Sequence, residues 1–234
     1  MGSGNKGIKK NTLYLRNTLS RRLDPFIPSD RKLVRMFTCG PSIYDRPHIG
    51  NYRAYIYEDI LERYLNYLGY RVKRVINFTD VEDKSIARME KQGASLAEVT
   101  EPNAALFRKE AHDLHIRLPA HIPRSSTTVD QAVELIQILL KKKFAYRHGR
   151  DIFYDPLKFE GFGKLFGLDM SRWPAQKRRF AKDTYPGQRW NLGDFILWHG
   201  CRRNWGDSVC WDTEIGKGRP AWNIQDPAMI TAHL

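Results

Sequence analysis

Between Arg35 and Phe78 the chain changes its hydrophobic period twice. Arg35-Met36-Phe37-Thr38 is a short apolar run that predicts a strand. From Tyr52 the apolar positions fall at Tyr52, Tyr55, Ile56, Ile60, Leu61, Tyr64, Leu65 and Leu68, one face of a helix that Gly69 ends. Val72 to Phe78 then predicts a second buried strand. Strand, turn, helix and strand in this order predict one βαβ unit of the nucleotide-binding type.

Further along, the signals are punctuation as much as period. Asp80 is expected to N-cap a helix running to about Gln92, stopped by Gly93. A second helix is expected from near Ser95 or Ala97 to about His115, interrupted by Pro102. Leu118-Pro119 and Pro123 mark a turn, and Thr128-x-x-Gln131 reads as a capping box. The helix it opens carries Ala132, Val133, Leu135, Ile136, Leu139 and Leu140 on one side. Phe144 to Tyr154 reads as a hairpin around His148-Gly149. Residues 155–220 are rich in Gly, Pro, Trp and Arg with little periodicity, and no repeat or low-complexity tract is visible. The expected division is a basic N-terminal segment (1–33), a nucleotide-binding unit with its following helices (34–154), the irregular stretch (155–220) and a final segment (221–234).

Composition narrows the function classes. With 41% hydrophobic residues, the 234-residue chain can bury a real core. No apolar run is long enough to span a membrane, and no basic-then-apolar leader is visible. Three cysteines without a close framework point to a reducing compartment, hence a cytoplasmic location. The net charge is +13, from 39 basic against 26 acidic residues. Much of it gathers at Arg16 to Arg35, at Lys141-Lys142-Lys143, and around Lys177-Arg178-Arg179 with Lys182, Arg189, Arg202 and Arg203. Trp173, Phe180, Tyr185, Trp190, Trp198 and Trp205 are interleaved there, a pattern that suits single-stranded or acceptor-end RNA. The competing reading is lysines at helix ends and aromatics in a core.

The turn after the first strand carries the chemistry: Cys39-Gly40-Pro41-Ser42-Ile43-Tyr44-Asp45-Arg46-Pro47-His48-Ile49-Gly50-Asn51. Phosphates favour such a turn, because backbone N–H groups and the helix dipole point at them. This run resembles the signature of cysteinyl-tRNA synthetases, class I enzymes that usually carry His-Ile-Gly-His where this chain has His48-Ile49-Gly50-Asn51. Leu13-Tyr14-Leu15-Arg16-Asn17-Thr18-Leu19 is similar to the family's opening segment, and Asn77-Phe78-Thr79-Asp80-Val81-Glu82-Asp83-Lys84 to its Asn-x-Thr-Asp-x-Asp-Asp-Lys segment. Gly218-Arg219-Pro220-Ala221-Trp222-Asn223-Ile224 is similar to its Gly-Arg-Pro-Gly-Trp-His-Ile segment. The resemblance covers roughly residues 13–234 and implies an α/β protein: the N-terminal half of a class I synthetase Rossmann-like nucleotide-binding fold with a connective insertion.

It also implies site roles. His48 and Asn51 would serve catalysis, and Tyr44, His48, Gly50 and Asn51 the ATP; a helix cap is the other reading of His48. Cys39, Gly40, Thr79 and Trp222 would hold the cysteine substrate. In the family the residue at Cys39 binds a Zn²⁺ that reads the substrate thiolate. The second zinc cysteine falls at Asp226, and the remaining His and Glu ligands lie beyond Leu234. Zn²⁺ is therefore expected at most at an incomplete site, Cys39 with Asp226. A second metal arrangement, His199 and Cys201 with Cys210 and His233, matches no established spacing. Glu82 and Asp83 read as first-turn residues rather than an acid/base pair. No Lys-Met-Ser-Lys-Ser loop appears in the chain. Expected partners are cysteine, ATP and tRNA, with a protein partner or a missing C-terminal half completing the fold. The alternatives are a non-catalytic paralogue or fragment that binds nucleotide or RNA, and a relative that joins cysteine to a small amine, as in mycothiol synthesis.

Overall fold

A computed structural model describes residues 12–169, 194–203 and 205–234. Strands β1 (Tyr14–Arg16) and β2 (Leu23–Pro25) form a small antiparallel pair. β3 (Leu33–Thr38), helix α1 (Ile49–Tyr67) and β4 (Arg71–Ile76) make the expected βαβ unit, with β3 and β4 parallel from Leu33↔Arg71 to Thr38↔Ile76. α1 stops at Leu68, and Gly69 adopts the left-handed conformation (φ 86°) that glycine enters at no steric cost.

Past β4 the chain stays extended and is held on both sides. The amide of Phe78 donates to Pro123 O and its carbonyl accepts from Ser125 N, while the amide of Thr79 donates to Pro41 O and its carbonyl accepts from Ile43 N. These contacts wedge residues 78 and 79 between two loops beside the crevice at the carboxyl ends of the parallel strands, where such folds bind ligands.

That wedge displaces the next helix. Asp80 is not its cap: its carboxylate is buried and accepts instead from the amide and hydroxyl of Ser126. Burial raises its pKa, so it needs those partners. α2 (Asp83–Gln92) begins two residues later than expected, with Glu82 at the N-cap position and Gly93 (φ 62°) at its end. α3 (Leu96–Asp113) starts with a Ser95/Glu98 capping box and runs through Pro102 without interruption. A proline there costs about 3 kcal/mol, and burial of Leu96, Val99, Ala104, Phe107 and Ala111 on the same helix offsets it. α4 (Val129–Lys141) appears as expected, but Thr128 makes no capping bond; its hydroxyl donates to Arg124 O.

β5 (Ala145–His148) and β6 (Asp151–Tyr154) form the expected hairpin, with Gly149 at φ 59°. They continue into a four-stranded antiparallel sheet with β7 (Phe195–Gly200) and β8 (Gly218–Pro220), which leads into α5 (Trp222–His233). Ile136 of α4, Ile152, Leu197 and Trp198 of the sheet, and Ile224 and Ala228 of α5 close one core over this sheet. Trp198 is fully buried, so it is a core residue and not an RNA-facing one. Trp173, Phe180, Tyr185, Trp190, Lys177, Arg178, Arg179, Lys182 and Arg189 lie outside the described residues.

The cysteine reading needs correction. Cys201 and Cys210 are joined in a disulfide, leaving Cys39 as the free thiol, so cysteine usage no longer argues for a reducing compartment. The second metal arrangement is lost with it. Buried His199 has its pKa pushed down by burial and by Arg219 and Arg202, while His233 sits against His121 at the end of α5. Among the described residues no helix is long and apolar enough to cross a membrane.

A second core lies under α1 and α3. Phe107 is completely buried, stacked on Tyr52 (5.9 Å) and edge-on to Tyr55 (5.2 Å) and Phe78 (5.5 Å). It joins α1, α3 and the end of β4 at one point. Phe107→Ala should therefore lower stability by about 3–5 kcal/mol, read as a fall in the urea midpoint at unchanged slope.

Candidate active site at the ends of the parallel strands

The site begins where β3 ends. Gly40 lies so close to β4 that a Cβ there would overlap the backbone carbonyl of Asn77, so only glycine fits. The approach lets the amide of Gly40 donate to Asn77 Oδ1 at 2.8 Å. Asn77 Nδ2 then reaches Asp226 Oδ1 (3.2 Å) and Thr79 Oγ1 (3.4 Å). Cys39 Sγ donates to Asp226 Oδ2 at 3.2 Å. Residues from β3, β4 and α5, far apart in the chain, thus converge on the crevice.

Asn77 is the hub that sequence reasoning passed over. It stands inside the quoted Asn-Phe-Thr-Asp segment, and a polar residue at the end of an apolar strand was the available signal. Gln225 is a second omission. Its amide nitrogen donates to Val81 O (2.7 Å) and Pro220 O (3.2 Å), and its oxygen accepts from Ser125 Oγ (2.8 Å). Those bonds set the rotation of α5, hence the place of Asp226. Asp83, expected only to favour a helix end, also forms an ion pair with the buried Arg219.

The two ionisable groups of the cluster perturb each other. Desolvation, followed by the hydrogen bond to Asp226 and its charge, pushes the Cys39 thiol up to about 11. Burial raises the Asp226 carboxyl, while the bond from Cys39 works the other way. The stable state has the proton on sulfur, shared toward a carboxylate.

His48 does cap α1. Its Nδ1 accepts from Gly50 N (3.0 Å), while Asn51 Oδ1 accepts from His48 N (3.0 Å), a reciprocal capping box. This bond assigns the neutral imidazole its proton at Nε2, leaving that N–H as a donor. Asn51 keeps its amide nitrogen as a donor. A cavity of about 570 Å³ opens beside His48, bordered by Arg46, Pro47, Ile49, Tyr52 and Glu110. Tyr44 lies under the Lys84 ammonium, 5.1 Å from the ring centre. Trp222 is the first residue of α5 and 53% exposed, an open aromatic surface rather than a core tryptophan.

The donor set does not fit a closed zinc centre. Cys39 and Asp226 stand together, but the described residues contain no group of three His, Cys, Asp or Glu side chains able to hold a metal ion. A structural or catalytic zinc takes at least three protein ligands. Two donors, one of them hard oxygen, define half a site.

The thiol geometry is directly testable. Iodoacetamide should modify the native chain slowly at about pH 8.5, with the rate rising toward an inflection near about 11. Asp226→Asn removes the carboxylate that accepts the thiol hydrogen and repels the thiolate, so the inflection should fall. An inflection unchanged by the substitution would separate the two groups.

Comparison with known proteins identifies the family. The family model described as tRNA synthetases class I (C) catalytic domain matches residues 25–234. The chain is 37% identical over 223 residues to a cysteine--tRNA ligase of Chlamydia muridarum, covering 95% of this chain and 46% of that protein. It is 39% identical over 219 residues to the ligase of Chlamydia abortus, covering 92% and 45%. Against the ligase of Thermosynechococcus vestitus it is 35% identical over 219 residues, covering 93% and 45%. The chain thus spans a little under half the length of these relatives. The α/β fold class expected from the motifs holds, and the chain belongs to the family of class I (C) tRNA synthetase catalytic domains.

Proposed function

We propose that this chain carries part of a catalytic domain that activates cysteine with ATP and prepares it for transfer to the 3′ end of tRNA. The observation that carries the reading is the meeting of Cys39, Asp226, Asn77 and Thr79 at the strand ends, on the unit whose helix begins at His48. Residues 34–154 would be the nucleotide-binding half, 155–220 the connective insertion, whose strands β7 and β8 share one sheet with the β5–β6 hairpin before it, and 221–234 the start of the second half. Its substrates suit a cytoplasmic location.

In activation, a carboxylate oxygen of cysteine bonds to the α-phosphorus of ATP. The bond from that phosphorus to its bridging oxygen breaks, and pyrophosphate leaves with the electron pair. The carboxylate is already a nucleophile, so no side-chain base is required. Charge grows on the phosphate oxygens, and the Nε2–H of His48 is a neutral donor suited to stabilise it. Tyr44, Gly50 and Asn51 shape the ATP side, with Asn51 offering one amide N–H where the family's usual histidine could become cationic. Gly40, Thr79 and Trp222 would enclose the amino acid, with Cys39 beside its thiol. A zinc at Cys39 and Asp226 would supply soft-metal selectivity for sulfur, and no step above depends on it.

A second reading rests on Asn51 and Asp226. The carbonyl of Asn51 is committed to the helix cap, and Asp226 ties up the Cys39 thiol. Both suit a paralogue that keeps nucleotide or RNA binding without turnover. Adenylate formation without tRNA charging would instead point to a small amine acceptor.

Cysteine-dependent ATP–pyrophosphate exchange on this chain decides between them. Exchange should require cysteine, and His48→Ala should reduce it by about 10²-fold. Comparing runs with and without added Zn²⁺ tests the metal reading of Cys39 and Asp226. Folded protein that gives no exchange leaves the binding paralogue.

A further inference from the structure

The antiparallel sheet carries a second cavity at the end away from α5. It measures about 590 Å³ and is lined by Arg147, Arg150, Arg202, Arg203, Lys217 and Trp205, with Asp207 as its one acidic member among the described residues. Its walls come from three places: the β5–β6 turn, the loop after β7, and the approach to β8. Two glycines allow them to meet. A Cβ on Gly200 would overlap Arg150, and one on Gly218 would overlap His199 O and the Trp198 indole. The Cys201–Cys210 disulfide closes the loop that presents Arg202, Arg203 and Trp205.

The cations differ in how they are used. Arg202 pairs with Asp151 (2.9 Å), Lys217 with Asp207 (2.9 Å), and Arg147 donates to Ile215 O (2.9 Å). Arg150 and Arg203 are exposed. The lining therefore holds more positive charge than its carboxylates neutralise. Trp205 is held in place by the Arg219 guanidinium 4.7 Å from its ring centre, and that arginine is anchored to Asp83 beside the active site.

We infer that this cavity binds a phosphate and the adjoining base of single-stranded RNA, with Arg150 and Arg203 on the phosphate and Trp205 as the aromatic surface for the base. Arginine forks match phosphate oxygens bidentately, and bases stack on aromatic rings without regard to sequence. A cavity of this size encloses a small ligand (about 300–1,000 Å³) and cannot admit a duplex. From Gly218 to Trp222 is a span of about 13 Å at strand rise, so a strand held here can extend toward the crevice. The inference rests on the tRNA reading above and gives it a location: an unpaired segment of the RNA.

The test is binding of a fluorescent single-stranded RNA of about ten nucleotides, compared with the same sequence as a duplex, across a salt series. Wild type should prefer the single strand. The double variant Arg150→Glu/Arg203→Glu should bind at least about tenfold more weakly, with its log–log salt slope shallower by about 0.7, one phosphate contact's worth. Arg150→Lys/Arg203→Lys should fall between wild type and the glutamate variant, because lysine keeps the charge and loses the bidentate fork. Both positions are exposed, and an unchanged melting temperature would confirm that the fold is kept. If wild type binds RNA and the glutamate variant binds it equally, the pocket assignment falls and the tRNA reading stands. If wild type binds no RNA, both fall, while pyrophosphate exchange still reports on activation. Equal binding of poly-glutamate would overturn the RNA assignment in favour of an acidic polypeptide.

Discussion

Two consecutive polar residues on α5 hold the molecule's geometry together. Gln225 is buried and bonded to Val81, Pro220 and Ser125, which join the segment leading into α2, the end of β8 and the turn before α4. A buried amide left unsatisfied would cost about 1–3 kcal/mol, so the helix has one favourable rotation. In that rotation Asp226 faces Cys39 and Asn77. A slip of one residue would turn Asp226 away by about 100° and leave both amide and carboxylate without partners. The crevice exists because this stitch and the close approach of Gly40 to Asn77 agree.

The same geometry defines the chemistry on offer. One proton lies between a thiol and a carboxylate 3.2 Å apart, and removing it would put two anions side by side. Desolvation by burial and then this carboxylate hold the thiol pKa up, at about 11. A cation could take the proton's place, but the described residues offer it two donors where zinc takes more. On the phosphate side, the capping box is structural and chemical at once: it orders the first turn of α1 and fixes the imidazole with its Nε2 proton available.

The positive charge has a more definite place than composition implied. Of the aromatics set among the arginines, Trp198 belongs to the core, whereas Trp205 lines an arginine-rich cavity. Arg219 links the Trp205 wall of that cavity to the first residue of α2, Asp83.

Local sequence was enough for the βαβ unit, because the strand run at 35–38, the helical spacing from Tyr52 to Leu68 and the stop at Gly69 all agree at short range. The family was legible for the same reason: its signature is contiguous, and so is the His48–Asn51 cap. Helix starts were less legible. Asp80 has the chemistry of a cap, but tertiary contacts from Pro41 and Pro123 hold the chain extended up to it, and its carboxylate is buried against Ser126. β7 is one apolar run, Phe195–Gly200, whose meaning depends on partners 40 residues earlier and 20 later. The sequence alone thus determined what each segment could become and which residues carry chemistry. Only the tertiary structure decided that Cys201 pairs with Cys210, that Asn77 is the hub, and that Asp226 meets Cys39. Each of those depends on the rotation or register of an element set by distant buried contacts, which no local pattern encodes.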